Sequence, residues 1–168
     1  MMEIIIRNIT KDTMVDLKND HTIMLPMDNE KLQAFLGNDE WIIVCSPIGE
    51  ELTNITELND LLLKVDPEEL LILSEAYCFD EIKEMDENYT IINFTEETAQ
   101  YNNGNGVFES DWWMGYVLHQ LGYMNFPFEY TDEMEDYVKF EQLWLTANSE
   151  GWIAIRHDEN LYLVKKWN

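Results

Sequence analysis

Between residues 50 and 141 the chain holds 23 Asp or Glu against three basic residues, Lys64, Lys83 and Lys139, a net charge of −20. Residues 1–49 carry eight acids and four bases, and the last 27 residues carry three of each. Nearly all of the formal charge of −24 therefore falls in the middle. Like charges at that density repel across a compact surface, so a fold that tolerates them is expected to present them to something positive. Acidic chains poor in apolar residues stay unfolded. This one is 46% hydrophobic, with six Trp, eight Tyr and seven Phe, enough for a sizeable core. At 168 residues the expectation is one domain or two small, interlocked lobes.

The residue pattern predicts an α+β protein, elongated and in three sections: an α/β lobe over 1–49, an acidic helical middle over 50–125, and a short helix plus β-strands over 126–168. In the first section, Met2–Arg7, His21–Leu25 and Trp41–Cys45 are short apolar runs bounded by polar turn material, which favours strands. Asp28 caps a helix whose Leu32, Phe35 and Leu36 share a face, and Gly37 ends it; Pro47 and Gly49 stop the third strand.

In the middle, Ile55, Leu58, Leu61, Leu62 and Val65 follow helical spacing behind Asn54 and Glu57, placed like a capping box. Asp66-Pro67-Glu68-Glu69 starts a second helix with Leu70, Leu73, Ala76 and Tyr77 inward. Phe79–Met85 is a third helix, and Thr90–Phe94 reads as a strand or a buried connector. Asn102–Gly106 is a loop. Ser110 and Asp111 then open a helix with Trp113, Tyr116, Val117, Gln120 and Leu121 in one stripe, closed by Gly122. The last section reads as a helix over Thr131–Tyr137 and a hairpin of Gly151–Arg156 with Leu161–Lys165.

A search for catalytic machinery returns little. His21, His119 and His157 lie far apart, with no metal-ligating spacing, and read as structural or exposed side chains. The chain holds no nucleophile elbow, P-loop or dinucleotide fingerprint. Asp86-x-Asn88-x-Thr90 with Glu97 at the twelfth position mimics a calcium loop, but Ile91 stands where the turn needs Gly. Paired carboxylates carry no specificity among 34 acids. Cys45 and Cys78 lack metal or redox spacing and read as buried free thiols. Four Asn-x-Thr triplets, at Asn8, Asn54, Asn88 and Asn93, carry little weight without a secretory signal. No catalytic residue, cofactor or metal is assigned, and the expectation is a cytoplasmic non-enzyme.

The sign of the charge narrows the partners. Aromatic stacking of single-stranded nucleic acid needs a cationic groove, which this chain lacks, so Trp113 and Tyr116 read as core. Direct nucleic-acid and membrane binding are disfavoured because both surfaces are anionic. The excess is too large for solubility, which takes a net charge of roughly 2 to 8. Duplex DNA carries one charge per about 1.7 Å, so the −20 along one face imitates roughly 34 Å, on the order of ten base pairs. The chain thus reads as a decoy for a DNA-binding protein with a basic groove. Its partner-binding face is assigned to Glu50, Glu51, Asp60, Glu68, Glu69, Glu75, Asp80, Glu81, Glu84, Asp86, Glu87, Glu96, Glu97, Glu109, Asp111, Asp132, Glu133, Glu135 and Asp136. An inhibitor of a guided nuclease with basic channels, and a binding module for a basic protein, are the alternatives.

Three stretches resemble the ArdA antirestriction proteins, small DNA mimics of plasmids, transposons and phages. Ile55–Leu61 resembles that family's helix after its N-terminal lobe, and Leu73–Ile82 its next helix pair. Leu121–Leu143 is similar around Met134-Glu135-Asp136-Tyr137, where the family carries a Tyr-Ile-Asp-Tyr run, and a terminal β-hairpin follows. The likeness spans nearly the whole length in layout. Where the family often has Gly-Arg-Asp after that run, this chain has Phe140-Glu141-Gln142. The resemblance implies an elongated, curved homodimer that blocks a host type I restriction–modification enzyme without catalysis, its acids filling the DNA groove.

Overall fold

The computed structural model describes residues 1–10, 19–48, 54–106 and 108–167. Glu50 and Glu51, with the section boundary at Gly49, lie outside the described residues. The described chain is α+β, with seven α-helices and two three-stranded antiparallel sheets. It divides into two compact units, Met1–Glu87 and Asn88–Asn168. The division falls inside the stretch grouped by charge as one acidic middle. Charge does not set the boundary; strand pairing does, because the strand at Tyr89–Asn93 pairs with one at Asn160–Lys166.

In the first unit, β1 (Met2–Asn8) lies between β2 (Asp20–Leu25) and β3 (Trp41–Cys45). Burial alternates along β1 with the two-residue period of a pleated strand: Met2, Ile4 and Ile6 are buried, and Ile4 faces the buried Ile23 of β2. Helix α1 (Asn29–Leu36) starts at Asp28, whose carboxylate accepts from the N–H of Glu30 at 3.0 Å and of Lys31 at 3.3 Å. Leu32 is buried, but Phe35 is exposed rather than sharing its face, with its ring against His21 and Trp41 at 6.1 and 5.4 Å. Two turns are too short to bury every apolar residue of the helix. Cys45 ends an edge strand and Cys78 precedes a helix, and both thiols are exposed, not buried.

Three short helices complete this unit: α2 (Ile55–Leu62), α3 (Pro67–Ser74) and α4 (Phe79–Met85). The first two start at caps written in the sequence, while α4 starts at Cys78, whose side chain makes no cap hydrogen bond. Asn54 accepts from Thr56 and Glu57, Asp66 accepts from Glu68 ahead of Pro67, and the Cys78 N–H donates to Glu81 at 3.0 Å. Ile55, Leu58, Leu61, Leu62, Leu70, Leu73, Ile82 and Met85 are buried. Ala76 is exposed because α3 ends at Ser74, and Ile72 is buried within the helix.

In the second unit, β4 (Tyr89–Asn93) resolves the Thr90–Phe94 run as a strand and leads directly into α5 (Phe94–Tyr101). Then come α6 (Asp111–Gln120), α7 (Phe140–Ser149), β5 (Trp152–His157) and β6 (Asn160–Lys166), with sheet order β4-β6-β5. The core joins Phe94, Val117, Leu118, Phe140, Trp144, Trp152 and Leu163. Gly115, Val117 and Leu118 are the buried residues of α6; Trp113 and Tyr116 pack at the core's edge, and Gln120 and Leu121 are exposed. The expected stripe is thus rotated toward α7. Thr131–Tyr137 is not an α-helix: only Asp132–Met134 forms a 3₁₀ turn. Four carboxylates within five residues repel one another there, and burial supplies nothing to offset them, since no residue of the turn is buried. Helix α7 was not expected from the sequence.

Candidate acidic interface

Of the 19 candidate carboxylates, 17 are described. Nine belong to the first unit: Asp60 on α2, Glu68 and Glu69 opening α3, Glu75 closing it, Asp80, Glu81 and Glu84 on α4, and Asp86 and Glu87 just after it. Eight belong to the second: Glu96 and Glu97 on α5, Glu109 and Asp111 at the start of α6, and Asp132, Glu133, Glu135 and Asp136 around the 3₁₀ turn. All are exposed except Glu69 and Glu97, which are half-buried.

Helix starts account for part of this set. Glu68, Glu69, Asp80, Glu81, Glu96, Glu97 and Asp111 occupy first turns. The N-terminal end of a helix dipole favours a carboxylate there by about 0.3–1 kcal/mol, which offsets some of the crowding. A second group has the opposite placement. Glu75 is the C-cap of α3, Glu84 lies in the last turn of α4, and Asp86 is its C-cap. At that end the dipole disfavours negative charge. Asp86 and Glu87 moreover have φ of 42° and 66°, a left-handed backbone that costs a side chain such as Glu about 1–2 kcal/mol. The dipole and the backbone therefore do not favour carboxylates at Glu84 and Glu87.

Several nearby cations are paired. Lys83 Nζ lies 2.9 Å from Glu57 and 3.1 Å from Asp80, and these hydrogen bonds, Glu57 first, hold its ammonium above the ordinary range. Lys64 reaches Asp86 at 3.8 Å, Arg156 pairs with Glu109, and Lys165 sits 4.0 Å from Glu150 with its ammonium over Trp167. The Lys83, Lys64 and Arg156 pairs lie largely in solvent and contribute little, Lys165 is buried, and a large carboxylate surplus is left.

In the second unit the acids border an aromatic row. Tyr101 meets Tyr116 edge-on at 5.7 Å, and Tyr116 and Tyr130 both pack edge-on against Phe140, at 5.1 and 5.7 Å. Burial, and then the charges of Glu135 and Asp132 among its neighbours, push the Tyr116 phenol up; the same causes act on Tyr130. Burial and then Glu97 push up Tyr101. The row therefore carries α5's Glu97 at one end and the Asp132–Glu135 turn at the other.

The assigned face leaves out Glu57, which ties α2 to α4 through Lys83, and the exposed Glu129 between Phe128 and Tyr130. Glu129 stood within the acidic stretch and was legible by the same criterion. No cluster of residues able to hold a metal ion occurs among the described residues, and none of their helices is long and apolar enough to cross a membrane. No protein-family model matches the chain, and no curated protein matches it at a significant level.

Proposed function

We propose that this protein is a non-catalytic DNA mimic that occupies the DNA-binding groove of a type I restriction–modification enzyme. The observation that carries the reading is the surplus of exposed carboxylates on both units, including Glu84 and Glu87 at the end of α4, where the helix dipole disfavours negative charge and, for Glu87, the left-handed backbone adds a further cost. Carboxylates placed at a cost to stability point to a job outside the fold. The surface they help build suits a groove lined by Lys and Arg, which gives up its own counterions when a polyanion enters. The choice of a restriction enzyme over another basic nuclease rests on the resemblance to ArdA proteins alone. As in that family, the working form is proposed as a homodimer in the cytoplasm of the host cell.

The test is protection of unmodified DNA from a type I enzyme by graded neutralised variants. Replacing any one of Glu68, Glu75, Asp80, Glu84 or Asp136 by its amide leaves protection nearly intact, because the charge is distributed. Neutralising eight together abolishes it. A single substitution that abolishes protection in a folded variant contradicts the mimic. Protection from a guided nuclease, with none from a restriction enzyme, transfers the reading to that alternative class.

A further inference from the structure

Helices α2 and α4 enclose a cleft of about 300 Å³ in the first unit. Its walls include Leu61, Val65 and Ile82, and its rim carries Glu57, Asp60, Asp86 and Glu87 alongside Lys64 and Lys83. The two lysines do not make the rim positive. Lys83 is held by Glu57 and Asp80, and Lys64 is 3.8 Å from Asp86 with both side chains mostly in solvent. Among the described residues no cation pairs with Asp60 or Glu87. An apolar recess under a net acidic rim fits one side-chain chemistry best: an alkyl stem that ends in a cation.

We propose that this cleft seats an arginine side chain from the basic groove of the protein's partner. The inference deepens the DNA-mimic reading and rests on it. The arginine stem lies on Leu61, Val65 and Ile82, and its guanidinium meets the carboxylates of Asp86 and Glu87. Arginine fits better than lysine because its planar fork takes two carboxylate oxygens at once and is less strongly hydrated. The exposed Lys64 is displaced from Asp86, a contact worth little. The cleft thereby adds to a distributed attraction one contact that reads side-chain shape, and that survives salt better because part of it is apolar.

The experiment uses the full chain with capped hexa-arginine and hexa-lysine peptides as probes, read by the methyl resonances of Leu61, Val65 and Ile82. Hexa-arginine is expected to shift those methyls saturably, including at salt concentrations that release hexa-lysine. In Asp86→Asn/Glu87→Gln its affinity falls about tenfold, the effect of losing one charge-assisted bidentate pair. In Glu3→Gln/Glu159→Gln, which removes equal charge at exposed positions outside the assigned acidic face, the expected loss is no more than about twofold. Equal binding of both peptides with the three methyls unmoved overturns the cleft proposal. If the wild-type chain still protects DNA from restriction in that case, the mimic reading stands without it. If the methyls respond but the wild-type chain gives no protection, the mimic reading fails, and with it the assignment of the arginine to a DNA-binding groove.

Discussion

Gly115 lies in the interior of α6, where glycine costs roughly 0.5–1 kcal/mol relative to alanine. Its use is steric. A Cβ there would stand 1.9 Å from the carbonyl oxygen of Phe140 and 2.7 Å from its carbon, so α6 and α7 meet through a surface with no room for a methyl group. Gly115→Ala is therefore expected to lower stability by about 1–3 kcal/mol in urea denaturation, the cost of overpacking, despite alanine's better helix propensity. Asn59 does a comparable job by hydrogen bonding. It is fully buried, accepts from the Met27 N–H at 2.8 Å, and donates to the Met27 carbonyl at 2.9 Å and to Asn29 at 2.7 Å. It thus fastens the chain between β2 and α1 onto α2. Asn59→Leu keeps the size and removes the polar head, and it should cost about 1–3 kcal/mol by stranding the Met27 groups, measured by the same denaturation. Unchanged stability in either variant contradicts these assignments.

Helix ends tie stability to function at the scale of the element. The C-terminal end of α4 gathers Glu84, Asp86 and Glu87, the last two in left-handed backbone. Glu87→Gly should raise stability by about 1 kcal/mol, since glycine adopts that backbone without penalty, while weakening inhibition slightly. A loss of stability would remove the argument that this end is shaped by something other than folding. The tyrosine row, formed by Tyr101 of α5, Tyr116 of α6 and Tyr130 ahead of the 3₁₀ turn, makes a prediction in pH. The folded chain holds Tyr101, Tyr116 and Tyr130 neutral more firmly than the unfolded chain does. That contribution is whole below the unfolded phenol value of about 10 and is lost as pH rises through the higher folded value. Stability should fall steeply on the alkaline side, and Tyr116→Phe should flatten the fall; an unchanged alkaline limb would contradict it.

The same elements show what the sequence made legible. Caps at Asp28, Asn54, Asp66 and Ser110, each a short polar side chain beside an apolar run, located four helix starts from local chemistry alone. Helix α7 went unread although Phe140, Leu143, Trp144 and Ala147 stand at helical spacing and are buried together. Its cap position is Lys139, which makes no side-chain cap hydrogen bond, so the usual start signal is missing. The rotated stripe of α6 was not legible, because the choice between Leu121 and Gly115 is made by the backbone of Phe140. Among the site residues, exposure followed from charge. The costly placements at the end of α4 did not, since they depend on where the helix stops.

Taken whole, the charge is shared by both units: 21 acids against six bases in residues 1–87, a net −15, and 13 against four in residues 88–168, a net −9. Each exceeds the magnitude of roughly 2 to 8 that keeps a small domain soluble. On the proposed function, affinity would come from releasing counterions from a cationic groove, and that gain shrinks as salt rises. The most direct measurement is the affinity of the protein for a type I restriction–modification enzyme across a salt series, with duplex DNA as competitor. Mutually exclusive binding is expected, with an affinity that drops about 10³-fold or more between 50 and 200 mM salt, as for a ligand that replaces several phosphates. Simultaneous binding of protein and duplex, or an affinity indifferent to salt, would contradict it.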